Sequence, residues 1–188
     1  KSDYAYHSSV SMHFLEHAKN YVDQVTSRFS LNEKSLVMEV AANDGYLLQY
    51  VKEKGIPCYG IEPTEGTSRI AVSKGLHIVK YFFGGDLANS LANKGKTADL
   101  TIANNVLAHV PDINDFVNGF CTILKPNGVA IFENPHLLEL IEKKQFDTVY
   151  HEHFSYLSLT AVSRIFGENG LTVFDVEEFP IHGGSLRY

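Results

Sequence analysis

The chain has 188 residues, 44% of them hydrophobic and 20% charged, ordinary values for one globular domain with a sizeable core. Its formal charge of -6 weighs against nucleic acid as a partner, because phosphate recognition needs a basic face. No run approaches the roughly 20 apolar residues of a membrane span, and no signal-peptide pattern opens the chain. Cys58 lies in an apolar strand-like run and Cys121 in a helix-like one. Both are expected as free buried thiols in a reducing, cytoplasmic compartment. The chain opens on Lys1 and stops on Ser185-Leu186-Arg187-Tyr188, which reads as the start of a strand, so a domain excised from a longer protein is expected. Residues 1–30 read as a lead-in and helix, and residues 31–188 as the main domain.

Taken in order, Ser8-Ser9 is the expected cap of a first helix through Phe14, Ala18, Tyr21, Val22 and Val25, an apolar stripe at helical spacing. Leu36 to Ala41 reads as a buried strand, Gly45 to Lys54 as a helix and Ile56 to Glu62 as a second strand. A helix from Thr64 to Lys74, a short strand from Leu76 to Val79 and a helix over about Leu87 to Asn93 follow. Asp99 to Ala103 is a fourth strand and Ile113 to Leu124 a helix; Pro126-Asn127-Gly128 then turns into the strand Val129 to Glu133. Strands alternating with helices predict an α/β domain with a doubly wound, mostly parallel, Rossmann-like sheet and helices on both faces. The end differs: a helix over Leu159 to Glu168 precedes Leu171 to Glu178, Pro180 and Gly183-Gly184, which predicts an antiparallel hairpin at the edge.

In such a sheet, ligands bind at the carboxyl ends of the strands near the point where strand order reverses. After the first strand come Glu39-Val40-Ala41-Ala42-Asn43-Asp44-Gly45, a tight turn with small side chains that allow a ligand near the backbone. A dinucleotide fingerprint requires three glycines there. This loop has one, and Glu39 and Asp44 would repel a pyrophosphate. The same acids attract a ligand carrying an amine and a sulfonium, which favours S-adenosylmethionine over NAD. Glu62, beside Pro63, follows the second strand near the ~20-residue offset at which an acid grips ribose hydroxyls. Asn104 and Asn105 end the fourth strand, where they either face the cofactor or simply terminate the strand.

The densest chemistry is Tyr150-His151-Glu152-His153-Phe154-Ser155-Tyr156, which no folding argument requires. Imidazole titrates near neutrality and a nearby carboxylate can fix its tautomer, while a phenol can donate to a developing oxyanion. The cluster is expected on or beside a loop, the usual mounting for chemistry. His151 and His153 as metal ligands is the weaker reading, because their spacing fits neither a helical His-Glu-x-x-His site nor a cysteine-bearing zinc site. A structural role for single members stays open, first of all for His151.

The chain resembles a class I S-adenosylmethionine-dependent methyltransferase, and specifically the sugar C-methyltransferases acting on nucleotide-linked deoxysugars. The residues that carry the resemblance are Glu39 to Leu48, Gly60 to Thr64, Asn104 to Asp112, Tyr150 to Ser158 and His182 to Arg187, with Tyr4 to Ser9 similar to the segment before the cofactor domain. Members usually add an amino-terminal zinc-binding module and a carboxy-terminal domain, which this sequence lacks. The resemblance implies that Glu39, Ala41, Asn43, Gly45, Glu62, Pro63, Asn104 and Asn105 hold the cofactor. It implies proton removal next to a ketone, with His153 as base, Glu152 orienting an imidazole or sugar hydroxyl and Tyr150 polarising the keto oxygen; the reverse, Tyr150 as base, stays open. Tyr6, Ser9, His109, His136, His182 and Arg187 are the expected substrate contacts, Gly183-Gly184 letting the backbone come close. Arg187 is equally an edge-strand ion pair and His109 equally a helix-start hydrogen bond. Phe82 and Phe83 either flank adenine or sit in the core.

No metal and no membrane or nucleic-acid partner is expected; the partner is a small-molecule nucleotide-sugar. The competing readings are an NAD oxidoreductase, an O- or N-methyltransferase and a non-catalytic cofactor-binding module.

Overall fold

The computed structural model describes residues 7–149, 151–181 and 183–188. Helix α1 (Met12–Arg28) carries the predicted stripe: Phe14, Ala18, Tyr21, Val22 and Val25 are all buried. Its cap, however, is Ser11, whose side chain accepts from the Phe14 N–H. Ser8–Val10 form a 3-10 turn instead, because the N–H groups of Ser8 and Ser9 donate to side chains of the loop after the first strand.

Strand β1 (Val37–Val40) leads to helix α2 (Leu48–Glu53), and β2 (Cys58–Ile61) to α3 (Glu65–Ser73). Then come β3 (Ile78–Val79), α4 (Gly85–Ala92), β4 (Ala98–Asn104), α5 (Ile113–Ile123) and β5 (Leu124–Pro135). The expected Gly45 start of α2 fails because Ala41, Asn43 and Gly45 all have positive φ, which a right-handed helix cannot include. Strand β5 begins earlier than expected. The Pro126-Asn127-Gly128 turn lies inside it, with Asn127 at φ 65° and a register shift against β4 between Ala98 and Leu100.

Helices α6 (Leu137–Glu142) and α7 (Leu159–Glu168) precede β6 (Glu177–Phe179) and β7 (Ser185–Arg187). The strand expected from Leu171 shrinks to β6. Leu171 and Val173 pack against the core by their side chains, but their backbone joins no ladder.

The seven strands run in the order β3-β2-β1-β4-β5-β7-β6, parallel except for β7, which is antiparallel to both neighbours. The parallel sheet and the antiparallel hairpin are thus as expected, with β7 inserted inside and β6 left as the edge. One apolar layer joins α1, α2 and α3 to Val37, Leu100, Ile102 and Ile131. The other joins α4, α5 and α7 to Met38, Val40, Phe120 and Phe132. Cys58 is half-buried and Cys121 exposed, both free, so the expectation of two buried thiols fails for Cys121, which lies outside the packed stripe of α5. Among the described residues no helix is long and apolar enough to cross a membrane. Strand order reverses between β1 and β4, so their carboxyl ends border the crevice where this architecture binds ligands.

Candidate active site

The loop after β1 is built from residues in an unusual backbone conformation. Ala41 (φ 57°), Asn43 (φ 50°) and Gly45 (φ 75°) alternate with ordinary residues, folding the chain back over the strand ends. A left-handed alanine costs about 1 kcal/mol or more, a cost retained where the fold over-determines it and one that marks functional loops. At Gly45 a Cβ would stand 2.2 Å from Leu76 Cδ1, so a side chain is barred by sterics as well as by φ. Glu62 fixes the loop from β2: its Oε2 accepts from the Asn43 N–H at 2.9 Å and its Oε1 from the Thr64 N–H at 2.9 Å. Each oxygen keeps a lone pair for a further donor. Ala41 and Pro63 are half-buried on either side of this bridge.

From the other side the 8–10 turn closes on the same loop. The Ser8 N–H donates to Asn43 Oδ1 at 3.1 Å, and the Ser9 N–H and hydroxyl both donate to Asp44 Oδ2, at 3.1 and 2.5 Å. Ser9 is therefore placed at the cofactor loop; its expected substrate contact is not what its hydroxyl does here. Asp44 is fully buried and was not among the expected ligands, although its place inside the Asn-Asp-Gly turn could have signalled it.

Beneath the loop, Glu39 is 1% exposed and neither of its carboxylate oxygens accepts a hydrogen bond of normal geometry. Burial, and then the charges of Glu62 and Asp44, hold its carboxyl well above the usual range, the backbone of Leu48 pulling weakly the other way. An acid in that state fits a cationic group that would supply the missing counter-charge. At the end of β4 the Asn104 amide donates to the Tyr46 hydroxyl at 3.4 Å, and its Oδ1 is buried with no donor. Asn105 (φ 52°) turns the chain, its N–H donating to the Glu133 carbonyl at 2.6 Å. These partnerless acceptors, with a loop that admits no side chain at Gly45, are what an amine-bearing ligand requires.

The His-Glu-His loop lies across the segment that follows β4. The Phe154 N–H donates to the Ala108 carbonyl at 2.7 Å, and the His109 and His153 rings meet edge to face with centroids 4.6 Å apart. Tyr156 stacks its edge on the other side of His153 at 5.4 Å, its hydroxyl donating to the Thr148 carbonyl at 3.4 Å. Burial lowers the pKa of both imidazoles; proximity to His109 lowers His153 further, and Glu152 partly offsets this in each. Both rings are therefore neutral at pH 7, the state in which imidazole accepts a proton. Glu152 is exposed, and it is its backbone, not its carboxylate, that the His109 ring bonds. His151 is exposed as well. His153, Tyr156, Thr148, Asn134 and Leu140 line a cleft of about 400 Å³, open to solvent, beside the end of β5. Asn134 is a further pocket residue that sequence reasoning passed over, since a lone Asn in Glu-Asn-Pro-His carries no signal.

Other expected contacts land elsewhere. His136 starts α6, its N–H donating to the Gly184 carbonyl at 2.9 Å, so it is beside the cleft without lining it. Arg187 is buried and committed: its guanidinium donates to Glu133 Oε2 from Nε at 3.0 Å and from Nη2 at 2.7 Å, between the rings of Tyr21 and Phe179. His17 reaches the same carboxylate at 3.3 Å. Burial would raise Glu133, but the His17 hydrogen bond and the Arg187 charge bring it below its ordinary value. Of the two roles expected for Arg187, the ion pair is the one its surroundings describe; no face of the guanidinium is left for substrate. The close approach at Gly183-Gly184 is made by Gln145 and Glu139, which a Cβ at either position would meet at 3.0 Å or less. Phe83 packs against Phe116 and Phe120 in the core, whereas Phe82 is exposed. Tyr6, Tyr150 and His182 lie outside the described residues. Among the described residues no group of three or more His, Cys, Asp or Glu side chains is placed to hold a metal.

A family model described as a methyltransferase domain matches residues 14–176. C-methyltransferase NovU of Streptomyces niveus is 33% identical over 183 residues, covering 97% of this chain and 44% of that protein. A ubiquinone biosynthesis O-methyltransferase of Bartonella tribocorum is 23% identical over 158 residues, 74% of this chain and 61% of its own. The chain thus spans about half the length of these relatives. Among solved structures, a SAM-dependent methyltransferase from Archaeoglobus fulgidus superposes with a TM-score of 0.70 at 18% identity, covering 88% of this chain and 72% of that one. Magnesium protoporphyrin IX methyltransferase from Synechocystis PCC 6803, solved with bound SAH, gives 0.67 at 15% identity over 95% and 86%. At these identities the likeness is one of fold.

Proposed function

The chain belongs to the methyltransferase domain family, and on that premise we propose that it serves S-adenosylmethionine-dependent C-methylation of a nucleotide-linked keto-deoxysugar through base-catalysed enolate formation. The observation that carries this reading is the pairing of a neutral, part-buried His153 with His109 across the cleft edge, next to a loop with partnerless buried acids. The similarity to a protein named as a C-methyltransferase supports the same chemistry.

Glu39, Asn43, Glu62 and Asn104 would hold the cofactor, with Ala41, Gly45, Pro63 and Asn105 shaping the backbone around it. When bound, S-adenosylmethionine supplies an electrophilic methyl group. The chain's own part is to bind, orient and deprotonate. Neutral His153 takes the proton from the carbon next to the ketone, and burial and His109 keep the ring unprotonated until then. A donor facing the ketone oxygen stabilises the developing enolate; Tyr150 is the candidate, and its exchange of roles with His153 is the internal alternative. Glu152 stabilises the imidazolium through space, consistent with its upward pull on both rings. The nearby Asn134 and Tyr156 fit the sugar hydroxyls.

The test uses the complete protein in heavy water with S-adenosylhomocysteine and a nucleotide-linked keto-deoxysugar. Deuterium should enter at the carbon next to the ketone, and His153→Asn should abolish the exchange. Methyl transfer to oxygen or nitrogen with no carbon exchange would overturn the proposal in favour of the O-methylation named for the Bartonella relative.

A further inference from the structure

Three carboxylates meet beneath the loop after β1, and they are not equivalent. Glu62 has a backbone N–H on each oxygen, and Asp44 receives two donors from Ser9 on one of its oxygens. Glu39, 1% exposed, has no donor on either oxygen. The charges that act on it are those of Glu62 and Asp44, both negative. Its remaining titratable neighbours are Tyr21 from α1, Tyr46 from the loop before α2 and Cys58 from β2, each pushed up first by its own burial and further by the Glu39 charge. None of these supplies a positive charge, so an ionised Glu39 is uncompensated until something cationic arrives.

Resting on the reading that this pocket takes S-adenosylmethionine, we infer that cofactor loading and the ionisation of Glu39 are coupled: a positively charged ligand entering beside the acid cluster expels the Glu39 proton to solvent, and its departure lets the proton return. The step breaks one O–H bond, leaves the electron pair on the carboxylate and passes the proton to buffer; nothing else is oxidised or reduced. Ligands that need one protonation state of their site show this linkage generally. The raised position of Glu39 supplies the proton to be lost. The methyl donor carries a sulfonium in addition to its ammonium, whereas the demethylated product carries the ammonium alone. The donor therefore expels more of the proton, and rising pH favours it over the product. The pocket would sense the charge that methyl transfer removes.

Calorimetric titration of the chain with S-adenosylmethionine and with S-adenosylhomocysteine, in phosphate and in Tris at pH 6, 7 and 8, reads this directly. Expected is an apparent enthalpy that differs between buffers in the sense of proton release, more strongly for the methyl donor. The dependence should persist in His153→Asn and vanish in Glu39→Gln. If Glu39→Gln does not fold, a rise in donor-over-product affinity with pH in the unaltered chain and in His153→Asn carries the same test. Binding with identical heats in the two buffers, and a donor-to-product affinity ratio flat with pH, would overturn the coupling and leave the cofactor reading standing. Binding of neither ligand, by calorimetry or by thermal shift, would sink the cofactor reading and the coupling with it.

Discussion

Two histidines 44 positions apart in the chain act on each other only because the loop after β5 crosses the segment after β4. Each ring is pushed down by burial, and His153 additionally by its neighbour. The neutral rings stabilise the fold at pH values above the ordinary imidazole pKa of about 6.5. As pH falls through their lower folded values, that contribution is lost, since the unfolded chain binds the protons more readily. Replacing His109 by Gln removes a like charge, so the His153 titration followed by NMR should move upward. An unchanged His153 titration would mean that burial alone sets its position. The sequence marked both residues, through Asn-Val-Leu-Ala-His and His-Glu-His, but nothing in it told which imidazole faces which, nor that Glu152 engages His109 by its backbone.

At the scale of elements, the junction of α1, β5 and β7 is held by the buried Glu133–Arg187 pair. Removing one partner of such a pair typically costs about 3–5 kcal/mol, whereas replacing both by apolar residues of similar volume is often neutral. Arg187→Met alone should therefore lose a large part of that in urea denaturation, and Glu133→Leu in the same chain should restore most of it. A double variant as unstable as the single one would show that the cation stacked between Tyr21 and Phe179, and not the ion pair, holds the junction. The loop after β1 makes a second prediction: Gly45→Ala combines a positive φ with a blocked Cβ and should cost roughly 2 kcal/mol or more by the same measurement. Strand and helix positions followed from apolar periodicity almost throughout. The misplaced starts, at Ser8-Ser9, Gly45 and Leu171, share one cause. In each, local propensity was overridden by a partner distant in sequence, or by the lack of one.

Across the whole molecule, α1 is continuous with the core: Tyr21 and Val22 are at most 1% exposed and pack in the same layer as Val37, Leu48 and Leu100. The α1 amides should therefore exchange hydrogen as slowly as those of β1, and a chain starting at residue 31 should expose that layer and aggregate. Fast exchange in α1 with β1 protected would make residues 1–30 an appended segment.

By itself the sequence determined the alternation of strands and helices, the acidic single-glycine loop and the chemistry of the His-Glu-His motif, because periodicity and residue type are local properties. Only the tertiary structure decided that Arg187 faces Glu133 and not a ligand, that Gly183-Gly184 accommodates Gln145 and Glu139, and that Glu39 alone among three acids lacks a donor. Those outcomes depend on which distant groups share a buried space, and burial with or without a partner is what sets the energy of a charge.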